Sequence, residues 1–124
     1  MTHPRIENIE LPATDMVMTK AFYSAAFGWE WTDYGPTYSA AMSGDLEIGL
    51  TSAAKVAASA AEGDQGSVGP LVLFKTDDLD VALGAVVEGG GNVVTEPFGF
   101  PGGRRFHFRD PSGNVLGVYV YDAA

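Results

Sequence analysis

The sequence predicts an α+β domain in which one βαβββ unit is used twice. Three observations carry that expectation. A helical stretch bounded by Asp and Gly occurs twice at the same spacing, from Asp15 to Gly28 and from Asp78 to Gly91. Each stretch follows a short apolar strand and precedes three strand-like runs. A segment of small and polar residues, AAKVAASAAEGDQGSV at 53–68, separates the two halves. We therefore expect a single domain over 1–124, with module one at 1–52, a connector at 53–68 and module two at 69–124. Each unit is too small to close a core alone.

In module one the strand is expected at Arg5–Leu11 and the helix at Asp15–Phe27. The three runs are Trp29–Tyr34, Thr37–Ala41 and Leu46–Thr51. In module two the strand is Leu71–Lys75 and the helix starts at Asp78. Its runs are Asn92–Thr95, Arg104–Arg109 and Val115–Tyr121. Each Asp suits an N-cap, because its carboxylate can accept from an unpaired first-turn N–H. Each Gly suits the position past the helix end, where a left-handed backbone is common. Met18, Phe22 and Ala25 give the first helix an apolar face, and Leu79, Leu83 and Val86 the second. Asp110-Pro111-Ser112-Gly113-Asn114 reads as a type I turn between the last two strands.

Composition bounds the function. The chain has 124 residues, 46% hydrophobic and 19% charged, which is a globular balance. Seven Lys and Arg against 16 Asp and Glu give a net charge of −9. So acidic a chain is a poor partner for nucleic acid or an anionic membrane. There is no cysteine, which removes disulfides, thiolate nucleophiles and zinc–thiolate sites. The opening residues MTHPRIENIELP hold no apolar stretch of signal-peptide or membrane-span length, so a cytoplasmic domain is expected. No phosphate-binding glycine loop, dinucleotide fingerprint, H-E-x-x-H or G-x-S-x-G is present.

Four motifs, in order and at matching spacing, resemble the vicinal-oxygen-chelate superfamily of glyoxalases, bleomycin-resistance proteins and extradiol dioxygenases. They are Asp15 followed by Phe22-Tyr23, then Phe27-Gly28-Trp29, then Thr76-Asp77-Asp78-Leu79-Asp80, and Arg109-Asp110-Pro111-Ser112-Gly113-Asn114. The resemblance covers nearly the whole chain. It implies that the modules curl their sheets into a half-barrel, with helices outside and the site inside.

Strand alternation then assigns the inner face. Ile6, Asn8 and Glu10 face in from the first strand, and Glu47, Gly49 and Thr51 from the last strand of module one. Leu71, Leu73 and Lys75 open module two's inner face. Arg105, His107 and Arg109 continue it, with Val115, Gly117, Tyr119 and Tyr121. Metal-dependent relatives take His or Gln, Glu, His and Glu from four inner positions. The residues here that match those positions are Asn8, Gly49, Leu71 and Gly117. Glycine and leucine carry no donor atom, and asparagine is a weak ligand for a transition metal. The resemblance thus implies a metal-free member with no cofactor. A substitute ligand set of Glu10, Glu47 and His107 is the alternative.

The expected function is binding of a small organic molecule in the cup, by Asn8, Glu10, Glu47, Leu71, Lys75, His107 and Tyr119. The bleomycin-resistance relatives are acidic homodimers with a cationic ligand, which a net charge of −9 would attract, and a homodimer is expected here too. The rival is an enzyme (a lyase, isomerase or dioxygenase-like protein) in which His107 acts as acid or base beside a carboxylate, or in which an unusual metal site operates. His107 equally suits a structural pairing with Glu47 or Asp110. Gly49 and Gly117 either leave room for a ligand or pack closely. Trp29 is expected in the core and Trp31 nearer a ligand or partner. Residues 96–103, with Phe98 and Phe100, form either a lid or an ordered loop. Arg104 and Arg105 suit a carboxylate or phosphate, or a solvated pair.

Overall fold

The computed structural model describes residues 3–53 and 70–123. Of the expected connector at 53–68, all but Ala53 lies outside the described residues. The first unit comprises β1 (Asn8–Pro12), α1 (Met16–Phe27), β2 (Thr32–Asp33), β3 (Tyr38–Ser43) and β4 (Leu46–Thr51). The second comprises β5 (Leu73–Lys75), α2 (Leu79–Glu88), β6 (Asn92–Phe100), β7 (Gly103–Arg109) and β8 (Val115–Tyr121). Both are βαβββ, as the repeated spacing predicts.

The sheets have equivalent orders, β1-β4-β3-β2 and β5-β8-β7-β6, and neither closes into a barrel. In each, the first strand pairs in parallel with the last and the rest are antiparallel. The registers match as well: Glu10 lies opposite Gly49 as Leu73 lies opposite Gly117. The four positions at which relatives bind metal therefore keep the same diagonal in both units. Asn8 stands two residues before Glu10, and Leu71 two before Leu73.

Both Asp caps form. The Asp15 carboxylate accepts from the Met18 N–H at 3.0 Å and that of Asp78 from the Val81 N–H at 3.1 Å. Gly28 ends α1 with φ 72°, where a side chain would strain the backbone. In α2 the left-handed residue is Gly90, at φ 105°, so the helix stops sooner than Gly91 suggested.

The buried face of α1 departs from expectation. Thr19, Phe22 and Tyr23 are buried, whereas Met18 is 55% exposed and Ala25 is on the surface. The Asp110–Asn114 turn of the second unit supplies polar partners for that face. The Thr19 and Ser112 hydroxyls share a hydrogen bond of 2.5 Å, and the Tyr23 hydroxyl donates to Asp110 at 2.9 Å. The Asn114 amide donates to the Pro12 carbonyl at 2.8 Å. A hydrophobic periodicity cannot register such contacts.

The strand ends also move. β1 starts at Asn8 and leaves Ile6 76% exposed, outside the inner face assigned to it. Trp29–Tyr34 contributes only Thr32–Asp33 as strand, because both tryptophans are held against α1. Trp29 stacks on Tyr23 with ring centres 4.9 Å apart, and the Trp31 indole donates to the Lys20 carbonyl at 3.1 Å. Trp31 is thus anchored to α1 and remains half-buried. β5 begins at Leu73, so Leu71 lies just before the strand. β6 runs through to Phe100 and turns at Pro101-Gly102 directly into β7. The segment at 96–103 is paired strand and turn, not a lid. The register shifts between Val93 and Thr95 and again between Thr95 and Phe98, and the second shift accommodates Pro97, which has no N–H to give the ladder.

One core serves both units. Leu11, Ile48 and Leu50 from the first sheet join Phe106, Phe108, Leu116 and Val118 from the second, with Phe22 and Val86 from the helices. The Phe22 and Phe27 rings of α1 reach Phe108 and Phe74 of the second sheet, at 5.7 and 4.7 Å between centres. The outer faces of both sheets are buried against the helices, and each inner face looks away from this core.

Candidate functional site

The inner polar residues form two groups, one on each sheet. On the first sheet the register places Asn8 beside Glu47, and Glu47 beside Met42. The Asn8 amide donates to the Glu47 carboxylate at 2.6 Å and to the Tyr38 hydroxyl at 3.3 Å. Tyr38 is a residue that sequence reasoning missed. The alternation Tyr38, Ala40, Met42 opposite Thr51, Gly49, Glu47 is the signal that would have found it. Its ring lies over Gly49, where a Cβ would collide with the Tyr38 hydroxyl. The Asn8 hydrogen bond favours the Tyr38 phenolate, but burial and the Glu10 and Glu47 carboxylates outweigh it and raise the phenol above its usual pKa.

The second sheet carries Lys75, Tyr119 and Arg105 in one row, and Leu73, Gly117 and His107 in the next. A Cβ on Gly117 would lie 2.5 Å from Leu73 Cδ2 and 2.9 Å from His107 Cδ2. At both glycines the space is filled by neighbouring side chains, which corresponds to the close-packing alternative. His107 is 1% exposed, and its ring meets the edge of Phe98 at 5.6 Å. Burial first, and then the Arg105 charge, hold its pKa below the ordinary histidine value, which favours the neutral imidazole. The Arg105 guanidinium lies over Phe98 and Phe100, at 5.2 and 5.7 Å from the ring centres. Arg105 Nε, His107 Nε2 and Arg109 Nε are buried without a hydrogen-bond partner among the described residues.

Lys75 sits at the rim, 3.3 Å from the Asp77 carboxylate and over the Tyr121 ring at 5.9 Å. Tyr119 packs between Phe100 and Tyr121, at 6.5 and 5.1 Å. Leu71 is partly exposed and, with Leu73 and Lys75, borders an apolar groove of about 760 Å³ at the β5 edge that Ile9, Phe27, Ile48 and Phe74 also line. Among the described residues Lys75 is the one titratable side chain that lines the groove, and they place no acid–base pair and no metal-ligand set there.

The glyoxalase-type metal positions do not fit a divalent ion. Gly49, Leu71 and Gly117 offer no donor, and the Asn8 amide is already engaged by Glu47 and Tyr38. No group of three His, Asp or Glu converges among the described residues. Glu10 and Glu47 lie on one sheet and His107 on the other, so the substitute set is not assembled. Nor does His107 pair with Glu47 or Asp110: the Asp110 carboxylate is turned to Tyr23, Asn114 and the Ser112 N–H.

The sequence profile described as the Glyoxalase/Bleomycin resistance protein/Dioxygenase superfamily matches residues 5–118. Protein CFP32 of Mycobacterium bovis is 30% identical over 120 residues, covering 90% of this chain and 43% of that protein. The anthracycline biosynthesis protein DauV of Streptomyces sp. (strain C5) is 32% identical over 121 residues, 89% of this chain and 39% of that protein. The chain thus spans less than half the length of these relatives. Among solved structures, TnmS3, an antibiotic binding protein from Streptomyces sp. CB03234, superposes with a TM-score of 0.72 at 23% identity, covering 98% of this chain and 99% of that one. A glyoxalase/bleomycin resistance protein/dioxygenase family enzyme from Burkholderia phytofirmans PsJN gives 0.73 at 19% identity, covering 94% and 98%. At such identities these two likenesses speak for the fold alone. No helix among the described residues is long and apolar enough to cross a membrane. With a profile match over most of its length and the duplicated βαβββ architecture, the chain belongs to the glyoxalase/bleomycin resistance protein/dioxygenase superfamily.

Proposed function

We propose that this protein binds a small organic molecule on its inner sheet faces and does so without a divalent metal. One observation carries the reading: three of the four positions that the resemblance matches to metal ligands carry no donor atom, while the inner face of the second sheet keeps buried polar atoms without hydrogen-bond partners among the described residues. Such groups are costly to leave unsatisfied, and a ligand would satisfy them. The name of DauV, a protein of anthracycline biosynthesis, points to aromatic natural products as the first ligands to try. Each inner face lies on the side away from the core, and we extend the proposal to a homodimer in which a second copy covers it. The acid–base alternative for His107 draws no support from the geometry, since no carboxylate among the described residues is hydrogen-bonded to that imidazole.

The test is a thermal-shift screen of aromatic antibiotics, followed by titration calorimetry with and without EDTA. A true ligand at one hundred times its Kd should stabilise the fold by about 2.7 kcal/mol. The effect should persist in EDTA. Stabilisation that disappears on chelation and returns with added zinc, nickel or manganese would overturn the metal-free reading. Sedimentation velocity decides the homodimer.

A further inference from the structure

We propose that the inner face of the second sheet is an anion site, with Arg105 and His107 gripping the carboxylate of an aromatic ligand whose ring lies against Phe98, Phe100 and Tyr119. The inference rests on the small-molecule reading above and names the ligand class for the same face. It departs from the net charge of −9, which by itself points to a cationic ligand.

The first observation is the distribution of cations. Lys75, Arg105 and Arg109, three of the seven Lys and Arg in the chain, face the same side of one sheet. Among the described residues the ion pairs are Lys20–Asp33 and Lys75–Asp77, so neither Arg105 nor Arg109 meets a carboxylate. An acidic chain that leaves two arginines unpaired on one face has a local field opposite to its overall charge. The second observation is independent. His107 is almost wholly buried, yet its Nε2 has no partner, and the Nε atoms of Arg105 and Arg109 share that condition.

Geometry narrows the ligand. Residues two apart on a strand stand about 6.6 Å apart on one face, and residues four apart about 13 Å. One carboxylate can therefore bridge Arg105 and His107, the nearer pair on that face. The Arg105 guanidinium lies against two phenyl rings and its Nε has no hydrogen-bond partner among the described residues, so it can take up a carboxylate in the bidentate geometry that guanidinium favours. The neutral His107 imidazole adds one N–H donor. The rings beside them offer flat apolar contact to an aromatic body.

The experiment measures binding of 2-naphthoate, 2-naphthamide and 2-naphthylmethylammonium by calorimetry at pH 7.5. The acid should bind at least tenfold more tightly than the amide, and the ammonium more weakly than either. Arg105→Gln should weaken naphthoate at least tenfold while leaving naphthamide within twofold, and Arg105→Lys should lose less. Arg104→Gln removes the same charge from the exposed opposite side of the strand, and it should leave naphthoate affinity unchanged. Circular dichroism and thermal melts confirm that each variant is folded. Equal binding of acid and amide, or equal losses in the Arg104 and Arg105 variants, overturns the anion site while the small-molecule reading stands. If Arg105→Gln instead dissociates a dimer without changing the ratio of acid to amide affinity, Arg105 belongs to an interface and the proposal falls. If none of the three probes binds at millimolar concentration the anion site also falls, and the broader reading is decided by its own screen.

Discussion

The Tyr23 hydroxyl donates a 2.9 Å hydrogen bond to the buried carboxylate of Asp110, joining the helix of the first unit to the hairpin turn of the second. Asp110 also accepts from the Ser112 and Asn114 N–H groups and from the Asn114 amide, at 2.9 to 3.0 Å. Two of the motifs that mark the family in sequence, Phe22-Tyr23 and the 110–114 turn, are thus the two sides of one clamp. Removing the hydroxyl leaves a buried carboxylate short of a partner. Tyr23→Phe should cost about 1–3 kcal/mol in urea denaturation. A change below about 0.3 kcal/mol would show that the clamp contributes nothing to stability.

Asp110 gives that clamp a pH signature. Burial raises its pKa above 3.8, against the opposing pull of its hydrogen bonds to Asn114, Tyr23 and Ser112. A raised folded pKa means that the group's contribution to stability is fully present below the unfolded value and is lost as pH rises through the folded value. The stability difference between the native protein and Asp110→Asn should therefore shift against the native protein as pH climbs upward from 3.8. Parallel pH profiles for the two proteins would contradict a raised pKa at this site.

His107 titrates in the opposite sense. Its folded pKa lies below 6.5, so its contribution is present above 6.5 and is lost as pH falls through the depressed folded value. Native protein and His107→Gln should diverge in melting temperature on acidification below 6.5, the native protein losing more. Thermal melts at pH 7.5 and 5.0 measure this, and equal losses would count against a buried neutral imidazole.

The packing at Gly49 is open to a double-mutant test. A methyl group there would strike the Tyr38 hydroxyl, so Gly49→Ala should cost about 1–3 kcal/mol through overpacking. Adding Tyr38→Ala should recover most of that loss, since the ring would no longer occupy the space. Additive costs, within about 0.3–0.5 kcal/mol, would mean that the two residues do not compete for one volume.

Local chemistry made much of this protein legible in its sequence. The two Asp caps, Leu46–Thr51 and Val115–Tyr121 as strands, and the duplicated unit depend on neighbours a few residues away. Alternation also placed Asn8 and Glu10 on a face with Glu47, and His107 with Gly117, because the period of a strand is fixed by its backbone. What alternation could not tell was which strands would share a site. Glu47 and His107 face inward on separate sheets, each inner face lying on the far side of its sheet from the common core. The role of Tyr23, the anchoring of Trp31, and the unpaired state of Arg105 were likewise decided by tertiary structure. Each depends on a partner more than ten residues away, or on the absence of one, and no local pattern encodes such a distance.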